Sequence, residues 1–155
     1  MSIRCPTLVI HHQAGKEYWA EQEIGDILFP YDFDLKIEKT VYRGVLLVYT
    51  SIKPLKAYRL VKREILTSVD KVIPVTTCLK TDNIDELFSL LDKLIRNQIK
   101  GTCINLVISL RGSLKQIEKL LVSFIREHAL VNRRCKQVLY LESIDDLLLI
   151  GHIEE

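Results

Sequence analysis

The sequence predicts an α+β fold built as two consecutive units, 1–78 and 79–155. Two observations carry this reading. Short apolar, β-branched runs alternate with stretches of helical periodicity, and the order strand, helix, two strands, helix, strand is completed within the first half of the chain. A second set of helices and strands then follows with no Gly-, Pro- or Ser-rich linker between, so the halves are expected to pack firmly.

The run PTLVIHH is apolar without strict alternation, which suits a central strand buried on both faces. From Lys16 the pattern changes: Ala20, Ile24, Ile27 and Leu28 recur at helical spacing, and Pro30 ends the helix. DLKIEKTVY, with Leu35, Ile37, Lys39 and Val41 on one side, and GVLLVYT form a hairpin through Arg43-Gly44. Pro54 suits a first helical turn, and Tyr58, Val61 and Ile65 mark the inner face of a helix reaching to about Ser68. KVIPV follows as a strand, and Pro74, which cannot donate to a ladder, places it at an edge or a bulge. This order is the ferredoxin-like βαββαβ arrangement.

In the second unit Asp82 is positioned to cap a helix with Ile84, Leu87, Phe88, Leu91, Leu94 and Ile95 on one face. TCINLVISL reads as a buried strand. Ser113, with Gln116 three residues on, has the spacing of a capping box for a helix whose apolar face is Leu114, Ile117, Leu120, Leu121, Phe124 and Ile125. QVLYLES and LLLIGHI form a closing hairpin through Ile144-Asp145-Asp146, turn residues whose side chains bond their own backbone.

The longest apolar runs are too short to cross a bilayer, and MSIRCPTLVIHH lacks a signal-peptide core, so a cytoplasmic chain without a membrane partner is expected. Cys5, Cys78, Cys103 and Cys135 form no C-x-x-C pair, and buried reduced thiols are expected. The net charge of +2 is uninformative, but its distribution is not. Residues 98–136 carry eight bases and two acids, and 137–155 carry five acids and no Lys or Arg. Such segregation can attract a polyanion.

No phosphate-loop, dinucleotide or zinc-deaminase motif is present, so neither cofactor nor metal is expected. His11 and His12 end a strand on opposite faces, one buried and one exposed. His128 suits a helix C-terminus. The loop HHQAGKEYW could cradle an anion as in acylphosphatases, small enzymes of the same topology acting on a phosphorylated metabolite. It lacks the arginine and asparagine that such chemistry needs, so this is the weaker alternative. The basic features point instead to RNA: Arg111, Gly112 and Ser113 at a strand-to-helix turn form a phosphate site on a helix N-terminus, with Arg111 bidentate. Lys115 and Lys119 follow along the helix, and Arg133, Arg134 and Lys136 lie beyond its far end. Lys53, Lys56, Arg59, Lys62 and Arg63 make a second basic stripe, which is either RNA-facing or simply solvated. Aromatics are scarce, and Tyr18 and Trp19 are expected to pack, which favours shape and phosphate recognition over base stacking.

PLKAYRLVKREILTSVDKVIPVTTCLKTDNIDELFSLLDKLI, INLVISLRGS and KQVLYLESIDDLLLIGHI, the last with Glu142 inside an apolar strand, resemble a ferredoxin-like domain followed by an α/β THUMP domain. THUMP domains occur in tRNA-modifying enzymes and their RNA-binding adaptors, and VIPVTTC is similar to the adaptor subgroup serving tRNA cytidine acetylation. The resemblance implies a non-catalytic chain that grips the acceptor end of tRNA and presents it to a separate modifying enzyme. That enzyme would be an acetyltransferase, or one carrying out thiolation or methylation. The end of the sequence at Glu155, without a following catalytic domain, is the feature that suggests the adaptor subgroup.

Overall fold

The computed structural model describes residues 4–80, 83–99 and 102–154. It divides into two compact units, Met1–Thr76 and Thr77–Glu155.

The first unit runs β1 (Leu8–His12), α1 (Glu17–Leu28), a 3-10 turn (Phe29–Tyr31), β2 (Lys36–Lys39), β3 (Val45–Tyr49), α2 (Pro54–Lys62) and β4 (Val69–Pro74). Its sheet has the order β2-β3-β1-β4 with every pairing antiparallel. This is the ferredoxin-like arrangement expected. β1 lies between two neighbours, and Leu8, Val9 and Ile10 are fully buried, which is why its sequence does not alternate. β4 is an edge strand, so the missing N–H of Pro74 leaves no central ladder broken. Gly44 takes φ +81° in the hairpin turn, a conformation that glycine adopts without strain. Leu8, Ile10, Ile24, Leu46, Ala57 and Val61 form the centre of the core.

α2 is shorter than the sequence pattern predicts. It ends at Lys62, and Ile65, expected on its inner face, is 94% exposed. The cause lies on α1, where Glu23 accepts hydrogen bonds from the Thr67 hydroxyl, the Thr67 amide at 3.2 Å and the Ser68 amide at 3.2 Å. These contacts hold the connection in a non-helical path before β4. Burial raises the Glu23 pKa, but the hydrogen bonds from Thr67 and Ser68 outweigh it and leave the carboxyl below its ordinary value. The folded state therefore favours the carboxylate. This contribution is complete above the unfolded-state pKa and is lost as pH falls through the folded one. Glu23→Gln is expected to lower stability at neutral pH and to make the acid-side decline shallower. Thermal melts of both proteins from neutral pH to about pH 3 check this.

The second unit comprises β5 (Thr77–Lys80), α3 (Ile84–Leu94) with a following π-helical turn (Ile95–Ile99), β6 (Cys103–Ser109), a 3-10 turn (Gly112–Ile117), α4 (Glu118–His128), β7 (Leu130–Val131), β8 (Gln137–Ile144) and β9 (Leu147–Glu154). Its sheet order is β5-β9-β8-β6-β7; β6 runs parallel to β7 and β8, and the other pairings are antiparallel. β6, α4 and β8 thus form a crossover that packs α4 on the sheet through Leu121 and Ile125. The proposed Asp82 cap lies outside the described residues. Asn83 caps α3, its Oδ1 accepting from the Asp85 amide at 3.0 Å. Ile84, placed by periodicity on the inner face, is 47% exposed.

The expectation of reduced, buried thiols is overturned: among the described residues no cysteine is free, and Cys103 is bonded to Cys135. The start of β6 and the turn before β8 bring these Cα atoms to 5.4 Å, within disulfide reach, although 32 residues separate them in sequence. No described helix is long and apolar enough to cross a membrane.

Candidate nucleic-acid interface

Arg111 follows β6 in extended conformation, and its backbone is clasped by Ser143 of β8. The Arg111 amide donates to Ser143 Oγ at 2.6 Å, and that hydroxyl donates to the Arg111 carbonyl at 2.7 Å. The guanidinium turns inward and pairs with Glu142, whose side chain is 1% exposed against 17% for Arg111. The sequence reading placed Arg111 on a phosphate; its Nη1 is instead occupied by the buried carboxylate. A charged acid in an apolar strand requires such a counter-ion, because burial of an unpaired charge is prohibitive.

The expected helix N-terminus at Ser113 is also absent. Residues 112–117 form a 3-10 turn, where Leu114 and Ile117, three apart, fall on the same buried side. The helix proper begins at Glu118. The Ser113–Gln116 capping box does not form: no side chain caps the 3-10 turn, and Ser113 Oγ donates to the Asp145 carbonyl at 3.3 Å. Gly112, at φ +76°, makes the bend that enters the turn.

The remaining cations are displayed. Lys115, Lys119, Arg133, Arg134 and Lys136 are exposed, as is Arg126, which the sequence reading counted as charge without placing it in the site. Lys115, Lys119 and Arg126 recur at spacings of four and seven residues, which sets Lys119 and Arg126 on one face of α4, about 10 Å apart along its axis. Glu127 is the exposed acid beside them. Arg133 and Arg134 occupy a tight turn. Asn132 is anchored by its amide to the Ile104 carbonyl at 2.9 Å, its Oδ1 accepts from the Arg134 amide at 2.9 Å, and the Cys103–Cys135 bond fixes the next residue.

The two ends of the predicted site do not meet. Arg111–Ser113 follow the C-terminal end of β6, whereas Arg133–Lys136 precede β8, which pairs in parallel with β6 from Ile104 onward. The length of β6 puts them about 20 Å apart. α4, which carries Lys119 and Arg126, is the crossover that leads from the first of these ends to the second.

On the first unit Lys53, Lys56, Arg59, Lys62 and Arg63 are all exposed along and beside α2. Lys56 lies over the Tyr31 ring at 5.9 Å and Lys62 over Tyr58 at 5.9 Å. Tyr18 and Trp19, expected to pack, are 62% and 58% exposed and form an edge-to-face pair. Phe29, Tyr31 and Phe33 are exposed as well. Helical periodicity marks Ala20, Ile24 and Leu28 as the buried stripe of α1, and the aromatic residues fall off it.

His128 lies 2.9 Å by Nδ1 from the Phe124 carbonyl and 3.7 Å by Nε2 from Asp92 of α3, a tie between helices. Among the described residues no group of three or more His, Cys, Asp or Glu is placed to hold a metal ion.

No family model and no curated protein matches this sequence. Solved structures do share its fold. PH1313 from Pyrococcus horikoshii Ot3 matches with a TM-score of 0.61 and 11% identity, over 97% of this chain and 55% of that one. TrmN from Thermus thermophilus matches at 0.58 and 12%, over 96% and 45%. A possible methylase from Clostridium difficile 630 matches at 0.55 and 16%, over 95% and 40%. The class defined is thus an α+β fold that makes up about half, or less, of these larger chains.

Proposed function

We propose that this chain binds structured RNA, transfer RNA in particular, through the basic track of the second unit, and presents its acceptor end to a modifying activity. The carrying observation is that Lys115, Lys119, Arg126, Arg133, Arg134 and Lys136 are exposed on a rigid support and make no ion pair among the described residues. Cations without carboxylate partners are available to displace counterions from phosphates. Gly112 and Ser113 shape the turn, and Arg111 serves Glu142, so these three drop out of the contact set. The THUMP resemblance of INLVISLRGS and the closing hairpin supports tRNA as the RNA. The adaptor role, and cytidine acetylation as its chemistry, rest on the likeness of VIPVTTC to the adaptor subgroup. That one chain of this fold is described as a possible methylase agrees with a modification context.

The reading is tested by titrating tRNA with and without its 3′ single-stranded end. Binding of the intact molecule that weakens on removal of that end supports acceptor-end recognition. Equal binding of both would move recognition elsewhere on the RNA, and absence of binding at low salt would overturn the proposal.

A further inference from the structure

α2 and the residues flanking it carry Lys53, Lys56, Arg59, Lys62 and Arg63, all exposed, and residues 51–63 contain no acid. We propose that this face, together with the exposed rings of Phe29, Tyr31 and Phe33 beside its start, is a second nucleic-acid surface, one that takes a single-stranded stretch of RNA. It extends the RNA reading to the first unit and stands on the residues of that unit alone.

The cations are uncompensated. Lys56, Arg59 and Lys62 recur at spacings of three, off the buried stripe of Ala57, Leu60 and Val61. None of the five bases makes an ion pair among the described residues. A face of one sign without carboxylate partners attracts a polyanion. The exposed acids nearest in sequence are Glu64, past the end of the helix, and Asp34. Asp32 commits its carboxylate to the fold, accepting from the Thr50 hydroxyl at 2.6 Å and the Ser51 amide at 3.0 Å. Those bonds hold the loop that carries the three rings against the segment entering α2.

The rings lie among these cations. Lys56 Nζ stands 5.9 Å from the centre of the Tyr31 ring, and Lys62 Nζ is at the same distance from that of Tyr58. Phe29 and Phe33 meet edge to face with centroids 5.2 Å apart, and Phe33 is 76% exposed, so most of its ring is open to solvent. Aromatic residues are common in protein–protein interfaces as well, but lysine is depleted there, and here Lys56 and Lys62 stand over the rings. Cations that follow a phosphate backbone, interleaved with rings on which bases stack, are the chemistry of single-strand binding. In a duplex the bases are already stacked on one another and offer such rings no face. The sequence reading set stacking aside because aromatics are scarce; the fold gathers three of them, within five residues, at the start of the basic helix.

The test is to titrate an oligouridine of about 12 nucleotides, within the range of single-strand site sizes, into the full chain while backbone amide NMR shifts are followed. Saturable shifts at residues 29–33 and 53–62 are expected. Phe33→Ala weakens the binding read at these amides about tenfold, as for loss of one stacked base, and Lys56→Gln/Arg59→Gln lowers its salt slope by about 1.4. All three side chains are exposed, so folding is retained. A blunt RNA duplex should leave residues 29–33 unmoved, and equal shifts with it would overturn the single-strand assignment. The shifts should persist when Lys119, Arg126, Arg133 and Arg134 are changed to alanine, so a failure of the second unit to bind tRNA is distinguishable from a failure here. Shifts confined to the second unit, their loss in that variant, or binding indifferent to Phe33→Ala overturns the site. Silence towards the oligonucleotide overturns it too, and leaves the aromatic surface to a protein partner.

Discussion

Arg111→Ala lowers the unfolding free energy by about 3 kcal/mol, the scale of a buried ion pair that loses one partner. The reason is Glu142. Its side chain is 1% exposed on β8, between Leu141 and Ser143, which are also buried, and Arg111 supplies its positive partner. Removing the guanidinium takes the Arg111 ion pair away from a buried carboxylate. Replacing both partners by apolar residues removes that penalty, so Arg111→Leu/Glu142→Leu should recover most of the loss. Urea unfolding of the two single variants and the double variant measures the coupling. RNA affinity of folded Arg111→Ala should equal that of the parent. A fully stable Arg111→Ala with weakened RNA binding would return Arg111 to the phosphate role first read from the sequence.

Cys135→Ser lowers stability by roughly 4 kcal/mol on the loop-entropy account, because the Cys103–Cys135 bond closes a loop of 32 residues in the unfolded chain. The effect is local as well. The bond sits directly after Arg133-Arg134 and ties their turn to the start of β6, so its loss loosens two of the cations on the track. Thermal unfolding under non-reducing conditions gives the stability term, and hydrogen exchange at residues 132–136 gives the local one. Unchanged exchange would show that Asn132, through its bonds to Ile104 and Arg134, holds the turn alone.

Much of the fold is legible in the sequence because burial periodicity is legible. β1 reads as central from its unbroken apolar run, β4 as an edge or bulged strand from Pro74, of which the sheet shows the edge, and the β8–β9 hairpin from Asp145-Asp146 between two apolar runs. What escaped depends on contacts distant in sequence. α2 stops early because Glu23, some 40 residues before Thr67, captures the chain there. β5 and β7, of four and two residues, are too short to show a period. In the site, exposed Lys and Arg were found from charge alone, since cations off an apolar stripe face solvent. For Arg111, a basic residue before a helical segment looks the same whether it serves a phosphate or a buried acid. Glu142, isolated in QVLYLES, was the visible signal for the second case. The exposed Tyr18-Trp19 pair follows from the phase of Ala20, Ile24 and Leu28 on α1, which scarcity of aromatics obscured.

The central claim is that the α4 face and the Arg133-Arg134 turn bind RNA phosphates. It is tested most directly by tRNA affinity across a range of salt, for the parent and for a variant with Lys119, Arg126, Arg133 and Arg134 changed to alanine. The parent should show a steep linear fall of log affinity with log salt. The variant should bind more weakly, with its slope reduced by about 3, given a slope contribution of roughly 0.7–0.9 for each phosphate contact. A folded variant with the parent's affinity and slope would contradict the account and move the RNA surface away from this face.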